Sequence, residues 1–179
     1  WGGGSAVAIA RTLMDEGEAS RRLWLYDTFE GMTLPTQYDL SGHDGRSASD
    51  YLATTPRDAN GGNNVWAVAP ESIVLDALGR SGWSNEQTVV VRGDVQETLR
   101  GSALPKSIAL LRLDTDWYES TSVELSVLYP HVTSGGVCLV DDYGDWLGAR
   151  RAVDEFISAL GVPTFLFPID STGRMWIKN

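Results

Sequence analysis

Apolar positions along the chain change their period several times, and each change marks an element. Over residues 5–14, Ala6, Ile9, Ala10 and Leu13 recur at helical spacing, with Ser5 as the expected N-cap and Gly17 as the stop. Leu23-Trp24-Leu25-Tyr26 reads as a short buried strand ending at Asp27. From Gly31 to Ala69 the pattern is lost in a stretch rich in Gly, Asn, Asp, Ser and Thr. A loop this long inside a domain is usually a lid, a binding loop or disordered.

Regular alternation then resumes. Residues 70–81 read as a helix, 88–92 as a strand and Ile108-Ala109-Leu110-Leu111-Arg112-Leu113 as a second strand. A helix is expected over 119–129, with a Thr121…Glu124 capping-box spacing and Pro130 behind it. Residues 137–140 read as a strand entered through Gly135-Gly136. The helix expected over 145–160 has Ala149, Ala152, Val153, Phe156, Ile157 and Leu160 as its buried stripe. The segments 164–169 and 174–177, separated by Asp-Ser-Thr-Gly, form a closing hairpin.

Strands alternating with helices imply an α/β fold, with a mostly parallel sheet covered on both faces and one antiparallel hairpin at its end. The chain opens on a glycine-rich turn that runs straight into a helix. In a doubly wound sheet such a turn follows the first, central strand. The expectation is therefore a single domain over 1–179 whose first strand lies upstream of residue 1.

Composition narrows the function. The net charge is −10 and no Lys/Arg block occurs, so phosphate backbones and anionic lipid are repelled, and neither nucleic acid nor membrane is expected as a partner. Cys138 is the one cysteine, which excludes an internal disulfide and a thiolate zinc cluster; its apolar run, Val137-Cys138-Leu139-Val140, points to core packing. No apolar run approaches the ~20 residues of a membrane span. Trp1-Gly2-Gly3-Gly4 has neither the basic nor the apolar region of a signal peptide, so a cytoplasmic location is expected.

Ligands of open α/β sheets sit at the carboxyl ends of the strands, and acidic residues collect there. Asp27 ends one strand and Asp94 follows another. Asp114 and Asp116 end a third, and Asp141-Asp142 a fourth. Each alone is as readily a strand-end carboxylate or a helix N-cap; together they favour a site. Gly2-Gly3-Gly4-Ser5 lets a ligand approach the backbone and meet free N–H groups, and Asp27 can accept hydrogen bonds from both hydroxyls of a ribose. NAD, ATP and S-adenosylmethionine (SAM) fit these features equally. Asp114, Asp141 and Asp142 offer three hard oxygen ligands suited to Mg²⁺ or a similar cation, which can lower the pKa of a substrate hydroxyl. His43 and His131 are not at metal-ligand spacing and read as loop residues, although His43 is placed where it could touch an acceptor.

Several of these segments carry a longer motif. Leu111-Arg112-Leu113-Asp114-Thr115-Asp116-Trp117-Tyr118-Glu119-Ser120-Thr121 resembles the L-R-L-D-x-D-x-Y-E-S-T signature of the macrocin O-methyltransferase family, SAM-dependent enzymes that methylate sugar hydroxyls. Val140-Asp141-Asp142-Tyr143 resembles that family's V-D-D-Y, and Arg151-Ala152-Val153-Asp154-Glu155-Phe156 the helix after it. Trp1-Gly2-Gly3-Gly4-Ser5 is similar to its W-R-G-G-S turn, and Tyr26-Asp27-Thr28-Phe29-Glu30-Gly31 to its A-D-S-F-E-G.

The resemblance implies a Rossmann-like methyltransferase fold with SAM and Mg²⁺ as cofactors and a small-molecule hydroxyl acceptor. It implies Mg²⁺ on Asp114, Asp141 and Asp142, with Asp114 as general base. Gly2, Gly3, Ser5, Asp27 and Thr28 would hold the cofactor, with Asp94 and Ser72 near the adenine, the loop 31–69 as lid and acceptor region, and a homo-oligomer as the assembly. The chain departs from the pattern at Thr115, where the family has glycine, and around Asp94, where Gly-Asp-Val-Gln-Glu-Thr-Leu stands in place of G-W-F-x-D-T-L. A non-catalytic SAM-binding domain and an NAD-dependent oxidoreductase are the alternative readings; the second leaves the aspartates without a task.

Overall fold

Two pairs of parallel strands carry the architecture. The computed structural model describes residues 2–18, 20–57, 65–101 and 104–179. The chain divides into two units, Trp1–Thr33 with Thr55–Asp94, and Leu34–Thr54 with Val95–Asn179.

In the first unit the helix α1 (Gly4–Asp15) precedes the strand β1 (Leu23–Asp27), which runs parallel to β2 (Thr88–Arg92) with Leu23 beside Thr88 and Asp27 beside Arg92. The helix α3 (Glu71–Arg80) lies between them in sequence. The helical stripe of α1 buries Ala10 against Leu23 of β1, Leu78 of α3 and Trp83, with Ile9 and Leu13 packed at the margin. The Trp83 indole N–H meets the Thr88 hydroxyl at 3.2 Å, so this buried ring keeps its polar atom satisfied at the start of β2. A second small core joins Phe29, Ala69 and Val74.

In the second unit α2 (Ala48–Thr54) is followed by α4 (Val95–Gly101), β3 (Ile108–Leu113), α5 (Tyr118–Leu128), β4 (Val132–Val140), α6 (Leu147–Leu160), β5 (Phe167–Pro168) and β6 (Arg174–Ile177). The sheet order is β3-β4-β6-β5, with β3 and β4 parallel and both pairings of β6 antiparallel. Alternation along β4 buries Val132, Cys138 and Val140. Burial pushes the Cys138 thiol up to about 12, which leaves it a core residue, as its apolar run implied. α6 buries Ala149, Ala152 and Val153 and ends at Gly161 in the left-handed conformation. Trp117 is fully buried and meets Trp146 edge-to-face at 4.9 Å; truncating such a ring to alanine costs about 3–5 kcal/mol.

Four expectations change. Ser5 is not the cap of α1: the helix begins at Gly4, and its N-cap is Gly3 at φ 78°, with no side-chain bond. The stretch 31–69 is not structureless, because α2 forms within it; its residues 58–64 lie outside those described. β4 runs through Gly135-Gly136 and absorbs them in a register shift opposite Ile108 and Leu110. Thr121 and Glu124 do not form a capping box. They lie a turn inside α5, both buried, and the start of that helix is capped from elsewhere in the chain. Among the described residues no helix is long and apolar enough to cross a membrane.

Candidate active site

The cap on α5 comes from the loop the sequence left unassigned. Asp39, fully buried, accepts the Tyr118 N–H at 2.7 Å on one oxygen, and the Thr36 N–H (2.6 Å) and hydroxyl (2.9 Å) on the other. A carboxylate at a helix N-terminus satisfies an orphan N–H and meets the positive end of the dipole. Gly148 of α6 passes so close that a Cβ there would collide with the Asp39 carboxylate. Residue types alone gave Asp39 no weight, since its partner is 79 residues away.

That cap fixes the segment between β3 and α5, where the carboxylates gather. Leu113 and Val140 are paired in the parallel ladder, and Asp141 N–H continues it to the Leu113 carbonyl at 3.0 Å. Asp114 and Asp141 therefore leave neighbouring strand ends together. Asp116 takes a left-handed backbone (φ 65°), a conformation that aspartate tolerates and that turns the chain sharply ahead of α5. Asp114, Asp116 and Asp142 each present an oxygen within 4.8 Å of the others.

Asp141 stands differently. The Arg112 guanidinium bridges two carboxylates, Asp114 at 2.7 Å through one amine and Asp141 at 2.9 Å through the other. Strand alternation places Arg112 on the same face as Asp114, two residues on, and that period-2 relation was the available signal for a role the sequence reading passed over. Asp116, named in the sequence only as a strand-end acid, joins Asp114 and Asp142 in the cluster, and Asp141 meets it through Asp114 and Arg112.

The electrostatics follow from crowding. Burial pulls the Asp114 carboxyl up, but the hydrogen bond and charge of Arg112 outweigh it and hold the group below its usual range. Burial, followed by its contact with Asp114, raises Asp141 to about 6. Asp116 is pushed up to about 7 by burial and by the charges of Asp114 and Asp145. Asp142, almost wholly buried, is raised well above its usual value by burial and by Asp116 and Asp114. Against these four carboxylates Arg112 supplies one positive charge. An all-oxygen donor set short of positive charge fits a hard divalent cation.

Thr115, the departure from glycine, has a structural account. Its backbone is not left-handed, so it has no need of glycine's freedom, and its hydroxyl donates to the buried Glu124 carboxylate at 2.9 Å.

The first unit holds the other residues. Gly2 (φ 64°) and Gly3 (φ 78°) form the turn into α1, whose first N–H groups have no acceptor within the helix; Ser5 lies in that first turn. Asp27, exposed at the end of β1, accepts the Phe29 N–H at 2.7 Å on one oxygen. Thr28 closes its own turn, its hydroxyl donating to the Gly31 carbonyl at 2.6 Å and accepting the Glu30 N–H at 3.1 Å. Ser72 is exposed in the first turn of α3, and Asp94 is half-buried just before α4. The Gly93 N–H reaches the Asp27 carbonyl at 2.9 Å, which brings the ends of β1 and β2 together.

Parallel strand pairs with a glycine turn, strand-end acids and helical crossovers define an α/β fold, which the comparisons place among the methyltransferases. The profile of the macrocin-O-methyltransferase (TylF) family matches residues 1–178, and the chain belongs to that family. It is 30% identical over 176 residues, 98% of its length, to 8-demethyl-8-(2,3-dimethoxy-alpha-L-rhamnosyl)-tetracenomycin-C 4'-O-methyltransferase of Streptomyces olivaceus. It is 31% identical over its whole length to demethyldecarbamoylnovobiocin O-methyltransferase of Streptomyces niveus. The chain spans 62% and 63% of those two relatives. Among solved structures it resembles the O-methyltransferase NovP, with TM-score 0.80 and 29% identity over 99% of the chain and 68% of NovP. The calicheamicin methyltransferase CalS11, at TM-score 0.65 and 21% identity over 97% of this chain and 66% of that one, shares the fold.

Proposed function

We propose that residues 1–179 are one methyltransferase domain that moves a methyl group from SAM to a hydroxyl of a sugar on a natural product, with a divalent cation at the acidic cluster. The observation that carries this reading is the convergence of Asp114, Asp116 and Asp142 within 4.8 Å in a chain of this family. Relatives named for 4'-O methylation and, at 25% identity, for 3''-O methylation (mycinamicin III 3''-O-methyltransferase of Micromonospora griseorubida) support a sugar acceptor.

Each unit has its task. In the first, the Gly2–Gly4 turn and the N–H groups of α1, including that of Ser5, receive the polar end of SAM. The exposed Asp27 accepts from its ribose. Thr28 shapes the turn beside Asp27, and Ser72 and Asp94 take the adenine side. In the second, Asp114 and Asp142 hold Mg²⁺ or a similar cation together with Asp141 or Asp116. When bound, that cation lowers the pKa of the acceptor hydroxyl.

Asp114 is the proton acceptor in this reading: it leaves the end of β3, and the Arg112 guanidinium holds its carboxylate in place at 2.7 Å. The hydroxyl proton passes to Asp114 and the oxygen forms a bond to the methyl carbon. SAM, when bound, would supply the methyl group, its sulfur keeping the electron pair of the carbon–sulfur bond and leaving as S-adenosylhomocysteine. A cytoplasmic location and a homo-oligomer belong to the same proposal.

Calorimetry of the full-length protein with SAM, NAD and Mg²⁺ tests the reading, followed by methyl transfer from labelled SAM to demethyldecarbamoylnovobiocin. SAM and Mg²⁺ bind and NAD does not. Binding of NAD in place of SAM, or full transfer in the presence of chelator, would refute it.

A further inference from the structure

We propose that His43 contacts the acceptor and selects which sugar hydroxyl is methylated, an inference that rests on the methyl-transfer reading above. His43 lies in a segment of the second unit fastened to the turn after β4. Gly42 N–H donates to the Asp145 carbonyl at 2.6 Å, Leu147 N–H to the Leu40 carbonyl at 2.8 Å, and Ser41 forms a bridge with Trp146. The two backbones run so close that a Cβ at Gly42 would collide with the Gly144 carbonyl oxygen. The Ser41 hydroxyl accepts the His43 N–H at 3.2 Å.

The imidazole has a partner of its own. Its Nε2 lies 2.6 Å from an Asp145 carboxylate oxygen, although the side chain is 68% exposed. Asp145 adjoins the acidic cluster: its N–H donates to the Asp142 carbonyl at 3.1 Å, and its charge contributes to raising Asp116. One carboxylate thus separates the ring from the cluster.

A carboxylate on Nε2 selects the tautomer with its proton on that nitrogen. In that neutral tautomer Nδ1 is a lone-pair acceptor, suited to a hydroxyl and not to a carbonyl. A hydrogen bond between two exposed side chains contributes little to stability, so folding alone does not explain the His43–Asp145 pair. A sugar carries neighbouring hydroxyls. One donates to Nδ1 while another is presented to Asp114, and the two contacts together determine the position that is methylated.

The test is steady-state kinetics of the full chain with SAM, Mg²⁺ and three acceptors, namely demethyldecarbamoylnovobiocin, mycinamicin III and 8-demethyl-8-(2,3-dimethoxy-α-L-rhamnosyl)-tetracenomycin C. His43→Ala raises the acceptor KM about tenfold, the size of one lost neutral hydrogen bond. It leaves kcat and the KM for SAM within about twofold and spreads methylation over more than one hydroxyl. His43→Asn, whose amide oxygen falls near the place of Nδ1, restores the acceptor KM to within about threefold of wild type. An unchanged acceptor KM in His43→Ala, a loss confined to kcat, or no rescue by His43→Asn overturns the inference while methyl transfer by wild type stands. Wild-type protein that methylates none of the three acceptors overturns the sugar-acceptor reading, and this inference with it.

Discussion

The acids of the two units live in opposite surroundings. Asp27 stands alone and exposed at the end of β1, with one oxygen bonded to a backbone N–H. Asp114, Asp116, Asp141 and Asp142 crowd together, with one guanidinium bridging Asp114 and Asp141, and burial and mutual repulsion raise three of them. A lone solvated carboxylate can accept hydrogen bonds from neutral hydroxyls at little desolvation cost, which suits a nucleoside. A buried group of like charges is stable only when neutralised, by protons or by a cation. Residue type is the same in both places; under the proposed function, the environment is what would separate a hydrogen-bond acceptor from a cation site.

Breaking the crowded site gives the largest effect. Asp142→Ala lowers kcat by about 10³-fold or more, in the range set by loss of metal polarisation and proton transfer, while the SAM Kd measured by calorimetry stays within about threefold. Asp141→Ala and Asp116→Asn, compared in the same assay, identify the third ligand: the one that abolishes Mg²⁺ binding holds the ion. If none of the three variants alters Mg²⁺ binding, the cation proposal is wrong.

Next in size is the frame that holds the site. Gly148→Ala forces a methyl against the Asp39 carboxylate and the α5 cap, which costs roughly 2–4 kcal/mol in urea melts, the scale of overpacking combined with a lost buried hydrogen bond. Equal stability would show that the loop does not hold α5 in solution. Asp27→Ala is smaller, since it removes one or two hydrogen bonds: SAM Kd rises by about 10–30-fold and Mg²⁺ affinity is unaffected. Weakened Mg²⁺ binding in that variant would erase the division of labour between the units.

The smallest effect is a pH dependence confined to the second unit. Asp116 and Asp141 are raised to about 7 and about 6 in the folded chain, above their unfolded values near 4, so the folded state binds the more protons in that window. Stability of the metal-free protein therefore falls as pH rises from about 4 to about 7. Asp114 works in the opposite direction, and its contribution is lost below about pH 4. Melting midpoints should drop by roughly 2–4 °C for each kcal/mol lost, and saturating Mg²⁺ should remove the slope. A metal-free midpoint that climbs over pH 4–7 contradicts the crowding.

The sequence by itself determined the elements and the acids that end their strands. β1, β2 and β3 stand where the apolar runs placed them, the stripe of α6 faces the core, and the long signature identified the family. Periodicity is local, and residues two to four apart settle it. Tertiary structure decided which carboxylates share a space, because those distances depend on the register of β3 against β4 and on the left-handed turn at Asp116. It also decided that Asp39 caps α5 and that His43 meets Asp145, contacts across 79 and 102 residues that no local pattern records. Electrostatic character belongs largely to that second class: Asp114 feels Arg112 two residues away, but burial and the acids of a separate strand end raise Asp116, Asp141 and Asp142.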